Sequence, residues 1–145
     1  MATWKKVLLW IAAVAVVTVG GCMLALDYLF SGMCGTTVFD EIPAPNKTLK
    51  AVVFQIDCGA TTDFNTQVAI VKYSFDTSGA TSLPKGVFIA DRGHGSAPAG
   101  MTRGPEIRLT WESDKTLNLQ YHRLARVFRS EDKQQGVTIK YQTFQ

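Results

Sequence analysis

The sequence is poor in the residues and motifs that carry the best-known kinds of enzyme chemistry. It contains two histidines and three cysteines in 145 residues. It has no glycine-rich phosphate loop, no serine-nucleophile elbow, no zinc-binding helix motif and no paired-cysteine metal motif. These absences argue against the common hydrolase, nucleotide-binding and zinc-enzyme classes, but they leave other kinds of enzyme open. We therefore assign no catalytic residue and no metal ligand from the sequence, and we expect no cofactor.

The sequence also lacks a large excess of either positive or negative charge. Lys5 and Lys6 belong to a total of 15 Lys and Arg, so 13 basic residues remain downstream of them against 12 Asp and Glu. A domain that binds nucleic acid needs a strongly basic surface to neutralise the phosphates. The nearly neutral downstream chain therefore gives no reason to expect a nucleic-acid partner.

A long apolar run lies close to the N-terminus. No charged residue occurs from Val7 to Leu26. Twenty residues in a helix span about 30 Å, which is the thickness of the hydrocarbon core of a bilayer. Lys5 and Lys6 precede the run and Asp27 follows it. Because basic flanks stay in the cytoplasm, this pattern predicts a single-pass inner-membrane anchor in contact with lipid, with the N-terminus inside and the remaining chain periplasmic or extracellular.

Two alternatives to a retained anchor stay open. A cleaved signal peptide would have a shorter apolar region that ends in a small-residue cleavage site. A lipoprotein would carry its lipid on Cys22, because Val19-Gly-Gly-Cys22 resembles a lipobox. The apolar residues that follow Cys22 favour the anchor, since a lipoprotein usually has a polar tether there. All three interpretations export the rest of the chain.

The use of cysteine agrees with export. Cys34 and Cys58 are the only thiols after the apolar run, and two cysteines in an oxidising compartment usually form a disulfide. The bond would close a ring of about 25 residues and stabilise the fold by about 3.5 kcal/mol in the chain-entropy model. A nucleophilic Cys58 is the alternative, but no partner base for it can be identified from the sequence.

Most of the downstream chain consists of short stretches with apolar and polar residues in alternation, separated by turn-forming residues. In the clearest hairpin, Ile107, Leu109 and Trp111 are followed, after a turn, by Leu117 and Leu119. We predict a mainly β fold, a small antiparallel β-sandwich or curled meander of about seven strands, preceded by one transmembrane helix. The predicted division is a cytoplasmic N-terminus at 1–6, an anchor at 7–26, a connector at 27–37 and an exported β domain at 38–145.

Three finer expectations concern the strands. Leu49–Ile56 has apolar residues on both faces, which is typical of a central strand. Ala125–Arg129 and Val137–Tyr141 are predicted to pair as the last hairpin. The predicted core consists of Val53, Phe54, Val68, Ile70, Phe88, Ile107, Leu109, Trp111, Leu117, Leu119, Val127 and Ile139.

Two stretches of the chain, Glu41–Phe54 and Asp57–Val68, are similar in sequence to other proteins. The second stretch begins Asp-Cys-Gly-Ala-Thr-Thr. They resemble an uncharacterised group of short bacterial proteins that have an N-terminal membrane span. The similarity extends from Cys34 to about Tyr141. It implies the same architecture, one span followed by an exported β domain, and it brings no active site with it.

The strongest candidate for chemistry is the glycine-rich stretch Asp91-Arg-Gly-His-Gly95 at the end of a short apolar strand. Flanking glycines would let His94 project from an open backbone, and Asp91 could orient or charge it for acid–base chemistry or ligand binding. A glycine loop whose polar side chains face water is the alternative.

Two further stretches are candidates. Arg123, Arg126 and Arg129 recur at intervals of three and form a basic stripe beside apolar residues, which could contact lipid phosphates or an acidic partner. A solvated strand face is the alternative. Asp57–Asp63 could line a ligand notch or form a tight turn between two strands, and the turn is favoured.

These features favour a membrane-tethered β domain, periplasmic or surface-exposed, that acts as a protein-interaction module with an envelope protein as its partner. The alternative is a small enzyme or ligand-binding domain that uses the loop containing Asp91 and His94. Enzyme activity is therefore left open, with binding favoured.

The predicted topology can be tested with a reporter fused after Gln145. We expect a reporter that works only outside the cytoplasm to be active, because the positive flank keeps the N-terminus inside. We also expect the intact mass of the extracted protein to match the full chain. A reporter active only in the cytoplasm would contradict the orientation, and a diacylglyceryl adduct on an N-terminal Cys22 would support the lipoprotein instead.

Overall fold

The computed structural model of the chain describes residues 2–30, 34–59, 63–79 and 83–145. They belong to two compact units that divide after Cys34. The first unit contains helix α1 (Ala2–Phe30). Its segment Thr3–Leu29 has a mean hydropathy of 2.5 and is long and apolar enough to cross a membrane. A signal sequence near an N-terminus has the same apolar character.

One polar side chain in the apolar run is satisfied within the helix. The Thr18 hydroxyl lies 2.8 Å from the carbonyl oxygen of Val14 and 3.0 Å from that of Ala15. Hydrogen bonds of this kind let a threonine lie in an apolar environment without an unpaired polar group. The helix begins and ends outside the predicted span of 7–26.

The second unit, Gly35–Gln145, is built from two β-sheets. Its strands are β1 (Gly35–Pro43), β2 (Leu49–Asp57), β3 (Asn65–Lys72), β4 (Phe88–Asp91), β5 (Ile107–Ser113), β6 (Thr116–His122), β7 (Arg126–Ser130), β8 (Lys133–Gln134) and β9 (Val137–Phe144). One sheet has the strand order β1-β2-β3-β4-β7, and the other has the order β5-β6-β9-β8. The predicted mainly β fold after an apolar helix is confirmed.

The number and pairing of strands differ from the prediction. The described residues contain nine strands, not about seven, and β6 pairs with β9 in parallel. The predicted last hairpin is wrong, because β7 pairs with β4 in one sheet whereas β9 pairs with β6 in the other. A parallel pair needs a crossover of about a dozen residues. The segment that contains β7 and β8 supplies it, and local alternation of residues cannot reveal such a long-range choice.

Strand β1 was not predicted at all. It begins at Gly35, inside the predicted connector, and continues to Pro43. Its side chains are no more than half-buried, because β1 is an edge strand with a neighbour on one side only. Such a strand has no strong apolar alternation to mark it.

The two sheets pack face to face around one core. Its buried members include Val68, Ile70 and Phe88 from the five-stranded sheet and Leu117 and Leu119 from the other. Eight of the twelve predicted core residues are buried. The other four lie on the edge strands β5 and β7, where they pack against the core but stay half-buried; they are Ile107, Leu109, Trp111 and Val127.

A second apolar cluster covers the other face of β2 and β3. It contains Val52, Phe54, Ala69 and Val71, and the half-buried Phe75 from the β3–β4 connection packs against it. Strand β2 is therefore buried on both faces and lies between β1 and β3, so the prediction of a central strand is confirmed. The part of the outer face formed by β3, β4 and β7 carries polar side chains.

The disulfide follows from the register of β1 and β2. Gly35 pairs with Asp57, and the same antiparallel register places Cys34 opposite Cys58. Residues opposite each other in such a pair have Cα atoms about 4.5–5.5 Å apart, which is within the range that a disulfide needs. Cys34 and Cys58 are bonded to each other, as predicted.

The strand registers define two ends of the sandwich. At one end β1, β3, β5 and β7 begin and β2, β4, β6 and β9 end, with the short link 123–125 joining the sheets. We call it the β1-start end. At the opposite end the β1–β2 and β5–β6 turns meet, and the backbone N–H of Asn46 donates to Asp114 Oδ1 at 2.8 Å.

The outer edges of both sheets are irregular. The pairing of β1, β5 and β7 with their neighbours is interrupted by a bulge at Phe39, Glu112 and Phe128, respectively. The fourth outer strand, β8, has only two residues. Bulges and very short outer strands discourage pairing with the strands of another chain. The fold is thus protected against edge-to-edge association along each described edge.

The disulfide can be tested by labelling and by stability. In the non-reduced full chain we expect a thiol reagent to react with Cys22 alone. Changing Cys34 and Cys58 together to Ser should lower the free energy of unfolding, measured by urea titration, by about 3.5 kcal/mol, because the unfolded chain regains the freedom of the closed ring. Cys22→Ser is the matched control and should change nothing. Three reactive thiols in the oxidised protein would contradict the bond.

Candidate binding site on the outer face of the five-stranded sheet

A polar cleft of about 330 Å³ lies on the outer face of the five-stranded sheet, where β3, β4 and β7 meet at the β1-start end. The register places Asn65 of β3 opposite Asp91 of β4, and Asp91 opposite Arg126 of β7. Because directly opposed residues share a face, three polar side chains line up across three strands. The cleft is lined by Asp63, Asn65, Gln67, Ile89, Asp91, Arg126 and Phe128.

The β3 side of the cleft is held by carboxamides. Asn65 Nδ2 donates to the carbonyl oxygen of Ile56 at 2.7 Å, and its Oδ1 accepts from the N–H of Ile56 at 3.3 Å. The side chain thus continues the β2–β3 ladder beyond the last backbone pair. Gln67 Nε2 donates to the same Oδ1 at 3.1 Å. Both amides are therefore fixed in place by the folded chain.

The opposite side of the cleft is built on an ion pair between Asp91 and Arg126. Arg126 Nε donates to Asp91 Oδ1 at 3.1 Å, and its Nη2 donates to Oδ2. The backbone N–H of Gly93 donates to Oδ1 at 2.8 Å. Burial by itself raises the pKa of Asp91, but the hydrogen bonds from Arg126 and Gly93 outweigh it, and the pKa lies below its ordinary value. The carboxylate of Asp91 is accordingly ionised, and both of its oxygens accept hydrogen bonds.

Arg126 is also fixed by its other neighbours. Its guanidinium carbon lies 5.0 Å from the centre of the Phe128 ring, which is a cation–π distance. The hydrogen bond to Asp91 raises the pKa of Arg126 above its ordinary value. Phe128 is the bulged residue of β7, and 61% of it is exposed. The rim of the cleft therefore presents an aromatic ring and a positioned cation side by side.

His94 reaches the edge of the cleft. Its Nε2 lies 3.4 Å from Arg126 Nη1, and its Nδ1 lies 3.8 Å from Asp63 Oδ2. The side chain is 81% exposed. Its φ is +57°, and the residues on either side of it in the chain, Gly93 and Gly95, also have positive φ values. The turn therefore holds a non-glycine residue in a left-handed conformation, which costs about 1–2 kcal/mol. Lys47, Arg103 and Gln135 also have positive φ values, so this conformation is not specific to the cleft.

The predicted site residues are brought together only in part. Asp91, His94 and Arg126 form one cluster at the cleft. Arg129 lies on the same face, because the bulge at Phe128 offsets the alternation of β7, but its Nη2 is bound to Glu131. Arg123 lies in the exposed link before β7. A spacing of three suits a helix face, and on β7 it is the bulge at Phe128 that brings Arg126 and Arg129 to one face while Arg123 lies before the strand.

The second histidine of the sequence, His122, lies outside the cleft. His122 is buried, and its Nδ1 accepts a hydrogen bond from the N–H of Leu124 at 3.2 Å. Within the described parts of the chain, no group of three or more His, Cys, Asp or Glu side chains is close enough to hold a metal ion. In the stretch Asp57–Asp63, the N–H of Gly59 donates to Asp57 Oδ1 at 2.9 Å. Residues 60–62 of that stretch lie outside the described residues.

Several cleft residues were missed by sequence reasoning. Asn65, Gln67, Ile89 and Phe128 belong to the cleft but were not predicted as site residues, whereas Asp63 ends the stretch Asp57–Asp63 for which a turn was favoured over a ligand notch. One signal was available, since Asn65 and Gln67 interrupt the face of a strand that continues with apolar residues. The bulge at Phe128 left no such signal, because it arises from the pairing with β4.

A smaller cavity of about 250 Å³ opens between the sheets beside β1 and β5. Its apolar wall includes Ile42, Ile107 and Leu109. Its polar groups have structural partners, because the Thr66 hydroxyl is bound to that of Thr102 and to the carbonyl oxygen of Pro105. The outer cleft is therefore the better candidate for a binding site. Comparisons of this chain with protein-family models, with curated proteins and with solved structures found no match.

The ion pair in the cleft predicts a dependence of stability on pH. Asp91→Asn should lower the free energy of unfolding at pH 7 by about 1.5–3 kcal/mol, because charge-assisted hydrogen bonds are lost. The folded pKa of Asp91 is depressed, so its contribution is complete above the unfolded pKa of about 4 and is lost as the pH falls through the folded value. The difference between wild type and variant should therefore shrink below about pH 4.

Urea titrations at a series of pH values measure this difference. Asp132→Asn is the control, because Asp132 is exposed between β7 and β8 and makes no side-chain hydrogen bond with any described residue. That variant should differ little from wild type throughout. A difference for Asp91→Asn that stayed constant down to acid pH would show that the carboxylate charge contributes nothing.

Proposed function

We propose that this chain is a membrane-anchored interaction module, and that its β unit lies outside the cytoplasm and binds an envelope protein through the outer-face cleft. The observation that carries the proposal is the arrangement of Arg126 and Phe128 at the rim. An exposed aromatic ring stacked against a fixed guanidinium is typical of the residues that dominate protein interfaces. The carboxamides of Asn65 and Gln67 add fixed polar groups beside it.

The chemistry of the cleft supports binding over catalysis. Asp91 is ionised and held by Arg126, so it is poorly suited to exchange protons near neutral pH. His94 is 3.8 Å from the nearest carboxylate oxygen of Asp63, which is too far for an orienting hydrogen bond. No serine, threonine or cysteine side chain lines the cleft as a nucleophile among the residues described.

Recognition through side chains also agrees with the strand edges. A partner that added a strand to either sheet would have to pair with a bulged or two-residue edge. Such edges do not offer a continuous row of hydrogen-bonding groups. The cleft, in contrast, offers side chains already fixed on three neighbouring strands, which lowers the entropy lost when a partner is bound.

The proposed placement has two supports. Lys5 and Lys6 precede the apolar segment, which favours a cytoplasmic N-terminus. The bond between Cys34 and Cys58 is typical of a domain in an oxidising compartment. A small-molecule or enzymatic role that uses Asp91 and His94 is the second candidate, and the strained conformation of His94 beside Arg126 is the observation in its favour.

Affinity capture from native membranes tests the proposal with the full chain and its anchor intact. A tag at Gln145 should retain a reproducible envelope protein with the wild type. Phe128→Ala should reduce that capture about thirtyfold, since truncation of a central interface aromatic commonly costs about 2 kcal/mol. The fold should survive, because Phe128 is outside the core.

Tyr73→Ala is the matched control, because Tyr73 is an aromatic residue of similar accessibility, 46% exposed, at the opposite end of the sandwich. It should leave capture unchanged. His94→Ala separates the two candidate functions. If His94→Ala abolished the biological activity while Phe128→Ala did not, the small-molecule or enzymatic role would replace the interaction module.

A further inference from the structure

The basic residues of the β unit are sorted by type between its two ends. Five of its six arginines lie at the β1-start end, on strand termini or connections; they are Arg92, Arg103, Arg108, Arg123 and Arg126. The seven lysines lie in the opposite half of the sandwich; they are Lys47, Lys50, Lys72, Lys85, Lys115, Lys133 and Lys140. Arginine makes bidentate hydrogen bonds to phosphate oxygens, and its guanidinium group is more weakly hydrated than the ammonium group of lysine.

Most of the exposed large apolar side chains described in the β unit also lie at or near the β1-start end. Phe64, Met101 and Leu124 are 40%, 63% and 47% exposed, and each lies on a connection at the β1-start end. Phe128, 61% exposed, lies in the strand that begins there. At the opposite end, Tyr73 is the large apolar residue with comparable exposure among those described. Apolar and aromatic groups interspersed with arginine are typical of surfaces that enter the interface of a bilayer.

The acidic groups at this end do not cancel all the arginines. Asp91 is paired with Arg126, and Glu106 is paired with Arg108 at 3.1 Å. Asp57 accepts the N–H of Gly59, and Asp63 faces His94. Arg103 and Arg123 are exposed and make no ion pair with any described residue. The guanidinium of Arg103 lies 5.2 Å from the centre of the Phe64 ring, which couples a cation to an apolar group.

The β1-start end is the end of the β unit that follows the apolar helix in the sequence. Helix α1 ends at Phe30 and β1 begins at Gly35. Four residues of sequence join them, so the chain enters the β unit at the β1-start end.

We propose that the β1-start end, through Arg103 and Arg123 together with Phe64, Met101 and Leu124, contacts the headgroups of an anionic bilayer. The occupant is the surface of the membrane that holds the anchor. The two unpaired guanidinium groups bind lipid phosphates, and the three apolar side chains enter the interface. This inference rests on the proposed membrane placement and is independent of the partner cleft. It would fix which face of the β unit is turned toward a partner.

Hydrogen–deuterium exchange of the full chain in lipid nanodiscs tests the inference. Backbone amides in 98–104 and 123–126 should exchange several-fold more slowly in discs that contain phosphatidylglycerol than in discs of phosphatidylcholine alone. The double variant Arg103→Gln, Arg123→Gln should lose this protection, because each arginine near an anionic surface shifts the bound population about fivefold. High salt should weaken the protection in the wild type.

The matched control is Lys115→Gln, Lys133→Gln, which removes the same charge from the opposite end and should keep the protection. Exchange in β2 and β3 reports whether each variant remains folded. Equal exchange in neutral and anionic discs would overturn the inference, and so would loss of protection in the lysine variant. Neither result bears on Phe128-dependent capture, so failure here is distinguishable from failure of the proposed function.

Discussion

The pairing of β1 with β2 is the constraint on which the rest of the β unit depends. β1 is an edge strand with half-buried side chains, so little burial holds it in place. It is held instead at both ends. The Cys34–Cys58 bond closes its first pair, and near its other end Trp111 Nε1 donates to the carbonyl oxygen of Ile42 at 2.9 Å. That hydrogen bond also ties the two sheets together.

With β1 in place, β2 and β3 are enclosed on both faces, and this decides where a binding site can form. One face belongs to the inter-sheet core, and part of the other is covered by Phe75. The polar cleft lies where that cover ends, at β3, β4 and β7. Asn65 and Asp91 meet there because neighbouring strands are in register, and the bulge at Phe128 turns its ring to the rim.

The extent to which the sequence predicts this molecule follows the range of the interactions. The apolar helix, the central strand Leu49–Ile56 and the disulfide depend on local pattern or on the small number of cysteines, and each is predicted. Strand β1 and the parallel β6–β9 pair depend on partners far along the chain. The same holds for the site. Asp91 and His94 could be predicted because they lie in a glycine-rich stretch of the sequence, whereas Phe128 reaches the cleft through the bulge in the pairing of β7 with β4.

The irregular edges and the sorted basic residues together limit how the β unit can meet other molecules. Bulged edges disfavour association through the backbone, so contacts must be made by side chains. The exposed side chains best suited to such contacts lie toward one end and one face. Arg126, fixed by Asp91 and Phe128, stands between the cleft and the connection that carries Arg123. The rim of the cleft therefore adjoins the surface that is proposed to meet the bilayer, and the cleft itself opens on the outer face beside it.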